Sequence, residues 1–172
     1  MDEVITIIDK ILEEHRTIMQ RLQRMEQVAN DTEAMAGLDK AKEVFMPGRL
    51  EQKEGLKKLK ELQEKVEQGL YAHFNWEETA LMSAVEKHGE KKIASALQTL
   101  LIEHKDLRNR IAHSKKHVAD LLGGGLSRTV WEATAHDMRA HISHTRKLLE
   151  AHAAIEQELL QELRDELVKS QK

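Results

Sequence analysis

The chain has 172 residues, with 27 Lys and Arg against 30 Asp and Glu, and it contains no cysteine. Lack of cysteine excludes disulfides, thiolate zinc sites and iron–sulfur clusters, while balanced charge and few aromatic residues (two Trp, two Phe, one Tyr) argue against a nucleic-acid partner. No apolar run approaches the roughly 20 residues of a membrane span, and the N-terminus becomes charged too early for a secretory signal. We therefore expect a cytoplasmic protein with no membrane partner.

The first predicted helix covers residues 2–30, where apolar residues recur in steps of three and four from Val4 to Met25. The next segment contains Asn, Asp, Gly and the only Pro of the chain. These residue types favour turns and breaks. We predict a long connection there, with a short helix around Leu38 to Phe45.

Three further amphipathic helices are predicted over residues 50–87, 90–122 and 127–169. Gly89 separates the first two, and a run of three glycines precedes the last, which Ser127 or Thr129 can cap. Four such helices predict an all-α fold, an antiparallel up-and-down four-helix bundle that forms a single domain over residues 1–172.

Each predicted helix carries one histidine at a position that its apolar periodicity assigns to the core. The surrounding sequences form an internal repeat. "LEEHRTIMQRL" around His15 matches "LIEHKDLRNRI" around His104, and "LYAHFNWEETAL" around His73 matches "LEAHAAIEQELL" around His152. In the second pair a glutamate follows the histidine at i+4, and these glutamates are Glu77 and Glu156. Residues at i and i+4 lie on the same face of a helix.

The fourth helix leaves two alternatives for its core histidine. At 1.5 Å per residue, His73 and His104 reach the same level, whereas the fourth helix is about 12 Å too long for His152 to meet His104 after a tight turn. Either the segment "LSRTVW" is partly loop, or His144 lies at that level instead. We favour His152 because only this histidine has a carboxylate one turn later.

Four imidazoles and two carboxylates in a dry core carry too much unpaired polarity unless something binds them, and a metal is the simplest explanation. Two metal ions could share both carboxylates, with two histidines holding each ion. This arrangement would leave a position open for a small ligand. Nitrogen and oxygen ligands without thiolate favour non-haem iron, with manganese and zinc as alternatives. Helix bundles house such centres between facing helices.

Taken in order along four helices, "LEEHRTIM", "AHFNWEE", "IEHKDLR" and "AHAAIEQELL" resemble the hemerythrin-like (HHE cation-binding) proteins over essentially the whole chain. This resemblance implies a four-helix bundle with two iron ions joined by an oxo or hydroxo bridge. It also implies six metal ligands, four terminal histidines and two bridging carboxylates: His15, His73, His104, His152, Glu77 and Glu156.

The chain differs from the oxygen-carrying hemerythrins in two places. Arg108 follows His104 where they carry a second histidine, and Glu156 follows His152 at i+4 where they carry Asp at i+5. The pattern is more similar to bacterial HHE proteins, which include di-iron proteins that repair iron–sulfur clusters and respond to nitric oxide, although those carry a Cys-containing segment that this sequence lacks. We expect a non-haem di-iron protein with an open metal position for O2, NO or peroxide, acting in sensing, storage or detoxification.

Two other classes of function are compatible with the same residues. One is an iron-dependent regulatory or interaction module without turnover, in which loss of iron unfolds the bundle and changes binding to a protein partner. The other is a metal-free helical adaptor. No separate acid, base or nucleophile can be named, so we predict no catalytic residue, and any turnover would depend on the iron.

Acidic residues flank the predicted ligands. We expect Glu14, Glu78 and Glu103 to be solvated or salt-bridged, with Glu14 and Glu78 as candidates for contacting a metal ligand from outside. We expect His113 and His117 to face outward, since His113 lies about 180° around its helix from His104. This phase argues against a second metal site between these two histidines and His141 and His144 of the last helix.

Overall fold

The computed structural model describes residues 2–41, 50–88, 91–123 and 125–170, with side chains described for 3–31, 54–87, 91–123 and 125–170. Almost all of these residues are helical, and none of them forms a strand. The helices are α1 (Asp2–Ala41), α2 (Leu50–Trp76), a π-helical turn (Glu77–Leu81), α3 (Met82–His88), α4 (Lys91–Gly123) and α5 (Arg128–Ser170). The predicted all-α fold is therefore confirmed.

The second, third and fourth predicted helices agree closely with the structure. The second consists of α2, the π-helical turn and α3, which follow one another without a break. Their bounds and those of α4 and α5 differ from the predicted bounds by one residue at most. Ser127 caps α5, because its hydroxyl accepts a hydrogen bond from the Val130 amide at 3.3 Å. Just before it, Gly125 has a φ of 76°, which glycine adopts without strain.

The first helix is longer than predicted. α1 continues to Ala41, so that the prediction of a connection beginning at residue 30 is wrong for residues 30–41. This stretch includes Ala, Met, Leu, Glu and Lys, which favour helix strongly enough to outweigh Gly37. Of the short helix predicted around Leu38 to Phe45, the first four residues belong to α1, and residues 42–49 lie outside the described part of the chain.

The helices pack in a ring in which α1 contacts α2 and α5, and α4 contacts the same two neighbours. At one end, Val4 and Ile8 near the start of α1 belong to the same apolar cluster as Val85 of α3, Ile93 near the start of α4 and Leu163 near the end of α5. Starts of two helices thus meet ends of the other two. Neighbouring helices run antiparallel, as predicted.

The apolar core is divided into two clusters along the bundle axis. One cluster is at the end that contains Ile8, Leu97 and Leu160. The other is at the end that contains Leu22 and Trp131. Between them lie buried polar side chains, which include four histidines and two glutamates, here called the His/Glu layer: His15, His73, Glu77, His104, His152 and Glu156. Each of these six residues is at most 7% exposed.

Candidate metal centre

Four histidines, one from each long helix, bring their rings together in the middle of the bundle. Each is at most 7% exposed. The ring centroids of His15 and His73 are 4.8 Å apart, and those of His104 and His152 are 5.0 Å apart. The alternative from the fourth helix, His144, is exposed. The histidines therefore form two pairs, and His152 lies at the level of the other three.

Glu77 lies one turn after His73 and begins the π-helical turn. Its Oε1 atom is 2.8 Å from Nε2 of His73 and 3.9 Å from Nε2 of His104. The wider π-helical turn leaves both Glu77 and Leu81 buried. Such turns are rare in proteins and are frequent at functional sites. The sequence predicted an unbroken α-helix here, because a single turn of this kind leaves no periodic signal.

Glu156 lies one turn after His152 on α5 and is also fully buried. Its Oε1 atom is 3.4 Å from Nε2 of His15, and its Oε2 atom is 3.3 Å from Nε2 of His152. The two oxygens therefore face different histidine pairs. Accordingly, two groups of ligand atoms each converge within 4.8 Å and share Glu156: one consists of His15, His73, Glu77 and Glu156, and the other of His104, His152 and Glu156.

Acidic side chains contact the outer nitrogen, Nδ1, of three of the four rings. The Nδ1 to oxygen distances are 2.6 Å for His73 and Glu14, 2.8 Å for His152 and Glu103, and 3.3 Å for His104 and Glu78. Because a carboxylate only accepts hydrogen bonds, each Nδ1–H donates, and in the neutral form of the ring Nε2 keeps a lone pair that faces the core. Carboxylates in this position orient metal-binding histidines and raise their basicity. The sequence analysis had not expected this contact for Glu103.

The inner nitrogens of His104 and His152 are only 3.1 Å apart. With both outer nitrogens donating to carboxylates, two lone pairs would face each other at this distance unless a proton or a cation lies between them. Within the described part of the chain, both oxygens of Glu77 and of Glu156 and the inner nitrogen of His73 are buried and make no hydrogen bond, although this nitrogen lies 2.8 Å from Oε1 of Glu77. Buried polar atoms without partners cost about 1–3 kcal/mol each. These donor atoms therefore fit a bound cation.

Burial favours the neutral imidazole for two of the four rings, those of His15 and His104. Burial, together with the nearby ring of His73, lowers the pKa of His15 to about 4. Burial also lowers the pKa of His104 to about 4, despite the attraction of Glu77. For His73 burial acts in the same direction, but contacts with Glu77 and Glu14 outweigh it and raise the pKa. Neutral imidazole is the form that binds metal, so His15 and His104 need to release no proton at neutral pH.

Arg108 lies beside the His/Glu layer and contacts two residues next to it, Glu78 and Phe74. Its guanidinium donates two hydrogen bonds to Glu78, at 3.0 and 2.9 Å. It also lies 5.5 Å from the ring centroid of Phe74, and this ring stacks on His104 with centroids 3.9 Å apart. Burial alone would raise the pKa of Glu78, but Arg108 lowers it and keeps the carboxylate ionised. Arg108 thus fixes the position of the Glu78 carboxylate, which in turn contacts the ring of His104.

A small cavity borders the His/Glu layer. Measured for the centre of a water-sized sphere, its volume is ≈ 10 Å³, about the room needed by one water molecule. The wall combines ring edges with apolar side chains, among them His15, His73, His152, Leu70, Phe74 and Leu149. Without movement of the helices, this cavity has room for about one water-sized ligand.

The fold and this site define a class of protein, a helical bundle with a buried His/Glu layer able to hold metal. The model of the hemerythrin HHE cation-binding domain matches residues 6–153, and the chain belongs to this family. Membership implies binding of a metal ion. The match includes the four histidines and Glu77 and ends before Glu156. No curated protein and no solved structure is significantly similar to the chain. Among the described residues, no helix is long and apolar enough to cross a membrane.

Proposed function

We propose that this chain is a non-haem di-iron protein that leaves one metal position open for O2, NO or peroxide. In this proposal His15 and His73 hold one iron, His104 and His152 hold the other, and Glu77 and Glu156 bridge the two. The observation that carries the proposal is that Glu156 belongs to two convergent groups of ligand atoms and turns one oxygen toward each. A carboxylate with this surrounding suits two ions better than one.

The donor set supports iron as the metal. Four imidazoles and two carboxylates provide only nitrogen and oxygen, and this combination suits non-haem iron, with manganese and zinc as alternatives that metal analysis distinguishes. An oxo or hydroxo bridge would complete a pair of ferric ions. The absence of cysteine from the sequence supports a cytoplasmic setting. One apolar cluster contains residues of α1, α2, α4 and α5, and the other contains residues of α1, the π-helical turn, α3, α4 and α5, which supports one domain over residues 1–172.

The residues around the layer have separate tasks in this proposal. Bound iron would supply ligand binding and electron transfer. Glu14, Glu78 and Glu103 orient three rings through Nδ1. Phe74, Leu70 and Leu149 line the small cavity and limit its contents by size. No residue of the chain is assigned as a catalytic acid, base or nucleophile, and sensing, storage and detoxification all require these same tasks.

The proposal is tested with iron-loaded protein that has been reduced without air. We expect about two irons per chain, as six ligands with two bridges imply, and a change in the optical spectrum when O2, NO or peroxide is added. The Glu156→Gln variant should show neither the two bound irons nor the change in the optical spectrum. The matched control is Glu158→Gln, which changes an exposed glutamate of the same helix and should behave like the unchanged protein.

Two outcomes would redirect or reject the proposal. If iron stabilises the protein but no ligand changes the spectrum, the regulatory or interaction module is the better reading. If the protein retains less than one iron per chain with no spectral band of a bridged pair, the di-iron proposal is wrong. Retention of manganese or zinc in place of iron would change the metal and leave the ligand set to be tested.

A further inference from the structure

A second histidine cluster lies outside the His/Glu layer, on the surface between α4 and α5. It consists of His113 and His117 of α4 and His141 of α5, and we call it the surface triad. The ring centroids are 4.7 Å apart for His113 and His117, 4.9 Å for His113 and His141, and 5.7 Å for His117 and His141. Although His113 is exposed as predicted, His117 and His141 are half-buried. The position of these histidines on their helices keeps them out of the core and places them in a shared groove between α4 and α5.

Two of the three ring distances in the surface triad are close to those expected around a shared ion. With a metal to nitrogen distance of about 2.0–2.1 Å, imidazole rings around a tetrahedral ion have centroids roughly 5 Å apart. The two ring pairs of the core have centroid distances of 4.8 and 5.0 Å. Two of the three distances in the surface triad fall within 0.1 Å of these values. Histidines at i and i+4 on one helix, such as His113 and His117, are a recurrent pair of zinc ligands.

The third ring of the surface triad is already oriented by a backbone contact. Nε2 of His141 lies 3.0 Å from the carbonyl oxygen of Arg110. A carbonyl only accepts hydrogen bonds, so Nε2–H donates and Nδ1 keeps the lone pair. A histidine that ligates metal usually donates its other ring nitrogen to a carbonyl or a carboxylate in this way. Meanwhile, Nδ1 of His117 is buried and has no hydrogen-bond partner among the residues that the structure describes.

Burial keeps a ring of the surface triad neutral, and two acidic residues lie near it. Burial lowers the pKa of His117, and the rings of His113 and His141 lower it further, while Asp137 and Asp120 act in the opposite direction. The ring is therefore neutral at pH 7 and available as a ligand. Asp137 lies one turn before His141 on α5 and can add a carboxylate to the three rings.

We infer that His113, His117 and His141 form a second metal site, which takes one divalent transition ion of the kind that imidazole binds: Zn²⁺, Ni²⁺ or Cu²⁺. The groups of described side chains whose ligand atoms already converge within 4.8 Å lie in the core. Closure of the surface triad on an ion thus requires adjustment of the rings, and the exposed ring of His113 is the freest to turn. We accordingly expect weaker binding here than in the core.

The test is a zinc titration of the iron-loaded protein, with both metals measured after equilibrium dialysis. We expect one zinc bound in addition to the iron, without displacement of the iron. His113→Ala, His117→Ala and His141→Ala should each weaken zinc binding by at least about tenfold. The matched control is His136→Ala, an exposed histidine of α5 outside the surface triad, which should bind zinc like the unchanged protein. Iron content should be the same in all four variants.

Three results would overturn the inference. One is the absence of any additional zinc, and another is equal zinc binding by the protein and its His113→Ala variant. The third is unchanged binding by His141→Ala, which would reduce the site to a two-histidine pair on α4. Circular dichroism of each variant checks that it is folded. The exposed position of His113 makes its replacement the least disruptive of the three.

Discussion

The His/Glu layer and the surface triad bring histidine rings to similar distances, about 5 Å for most pairs, in opposite surroundings. In the layer every ring is at most 7% exposed, two carboxylates lie fully buried among them, and both apolar clusters shield the site. In the surface triad one ring is exposed and two are half-buried. At the surface, a polar atom without a protein partner can form a hydrogen bond with water, whereas a polar atom in the core cannot. We therefore expect burial, more than ring geometry, to make the stability of the fold sensitive to metal.

The largest expected effect comes from the carboxylate that both core groups share. Glu156→Gln removes its charge and should cost the protein most of the iron at both positions, because each group of ligand atoms includes Glu156. The control Glu158→Gln should retain the full iron content. Metal analysis after desalting measures both. If Glu156→Gln kept both irons, the buried carboxylate would have no role in metal binding. The contrast between the His/Glu layer and the surface triad would then no longer hold.

A smaller effect is expected from the carboxylates that orient the rings from outside. Glu14 contacts His73 at 2.6 Å and is 34% exposed, whereas Glu103 contacts His152 at 2.8 Å and is 56% exposed. Loss of such contacts weakens metal binding by about 10–100-fold. We expect Glu14→Gln to lie at the upper end of this range and Glu103→Gln at the lower end, in competition with a chelator of known affinity.

A control for this ranking is Glu13→Gln, which changes the exposed neighbour of Glu14. It should leave iron affinity unchanged. Equal affinities for Glu14→Gln and Glu13→Gln would mean that the rings are held by packing alone, and the contact of Glu14 with His73 would then have no effect on the metal.

The metal-free protein should gain stability when polarity is removed from the layer. Replacement of Glu156 by Leu eliminates two buried oxygens without partners, so the free energy of unfolding in urea with a chelator should rise by about 1–3 kcal/mol. Leu160→Ala, one turn further along the same buried face, should instead lower it by about 2–5 kcal/mol. A lower stability for Glu156→Leu would indicate that the carboxylate has a partner other than metal.

The smallest expected effect is at the surface. His113→Ala should leave iron content unchanged and alter the free energy of unfolding by no more than about 0.5 kcal/mol, the usual range for surface substitutions. Urea unfolding of the iron-loaded protein measures this. A large loss of stability would show that the surface triad supports the fold as the core does, and the contrast between the two clusters would no longer hold.

Periodicity allowed most of the fold to be predicted. The histidines and glutamates at core positions of four amphipathic helices are residues that the structure brings together, and of His152 and His144 it places His152 beside His104. Local patterns could not show how far α1 extends, because a helix continues wherever propensity permits. Nor could they reveal the π-helical turn at Glu77. The contact of Glu103 with His152 and the meeting of His141 with His113 depend on the rotation of α4 against α5, which one sequence does not encode in any simple spacing.

The most direct test of the central claim is an anomalous difference map, measured at the iron absorption edge, from a crystal of the iron-loaded protein. The account predicts two peaks inside the His/Glu layer. One should lie beside the Nε2 atoms of His15 and His73, the other beside those of His104 and His152, with the carboxylate of Glu156 between them. A single peak in the layer, or iron located only at the surface, would contradict the account.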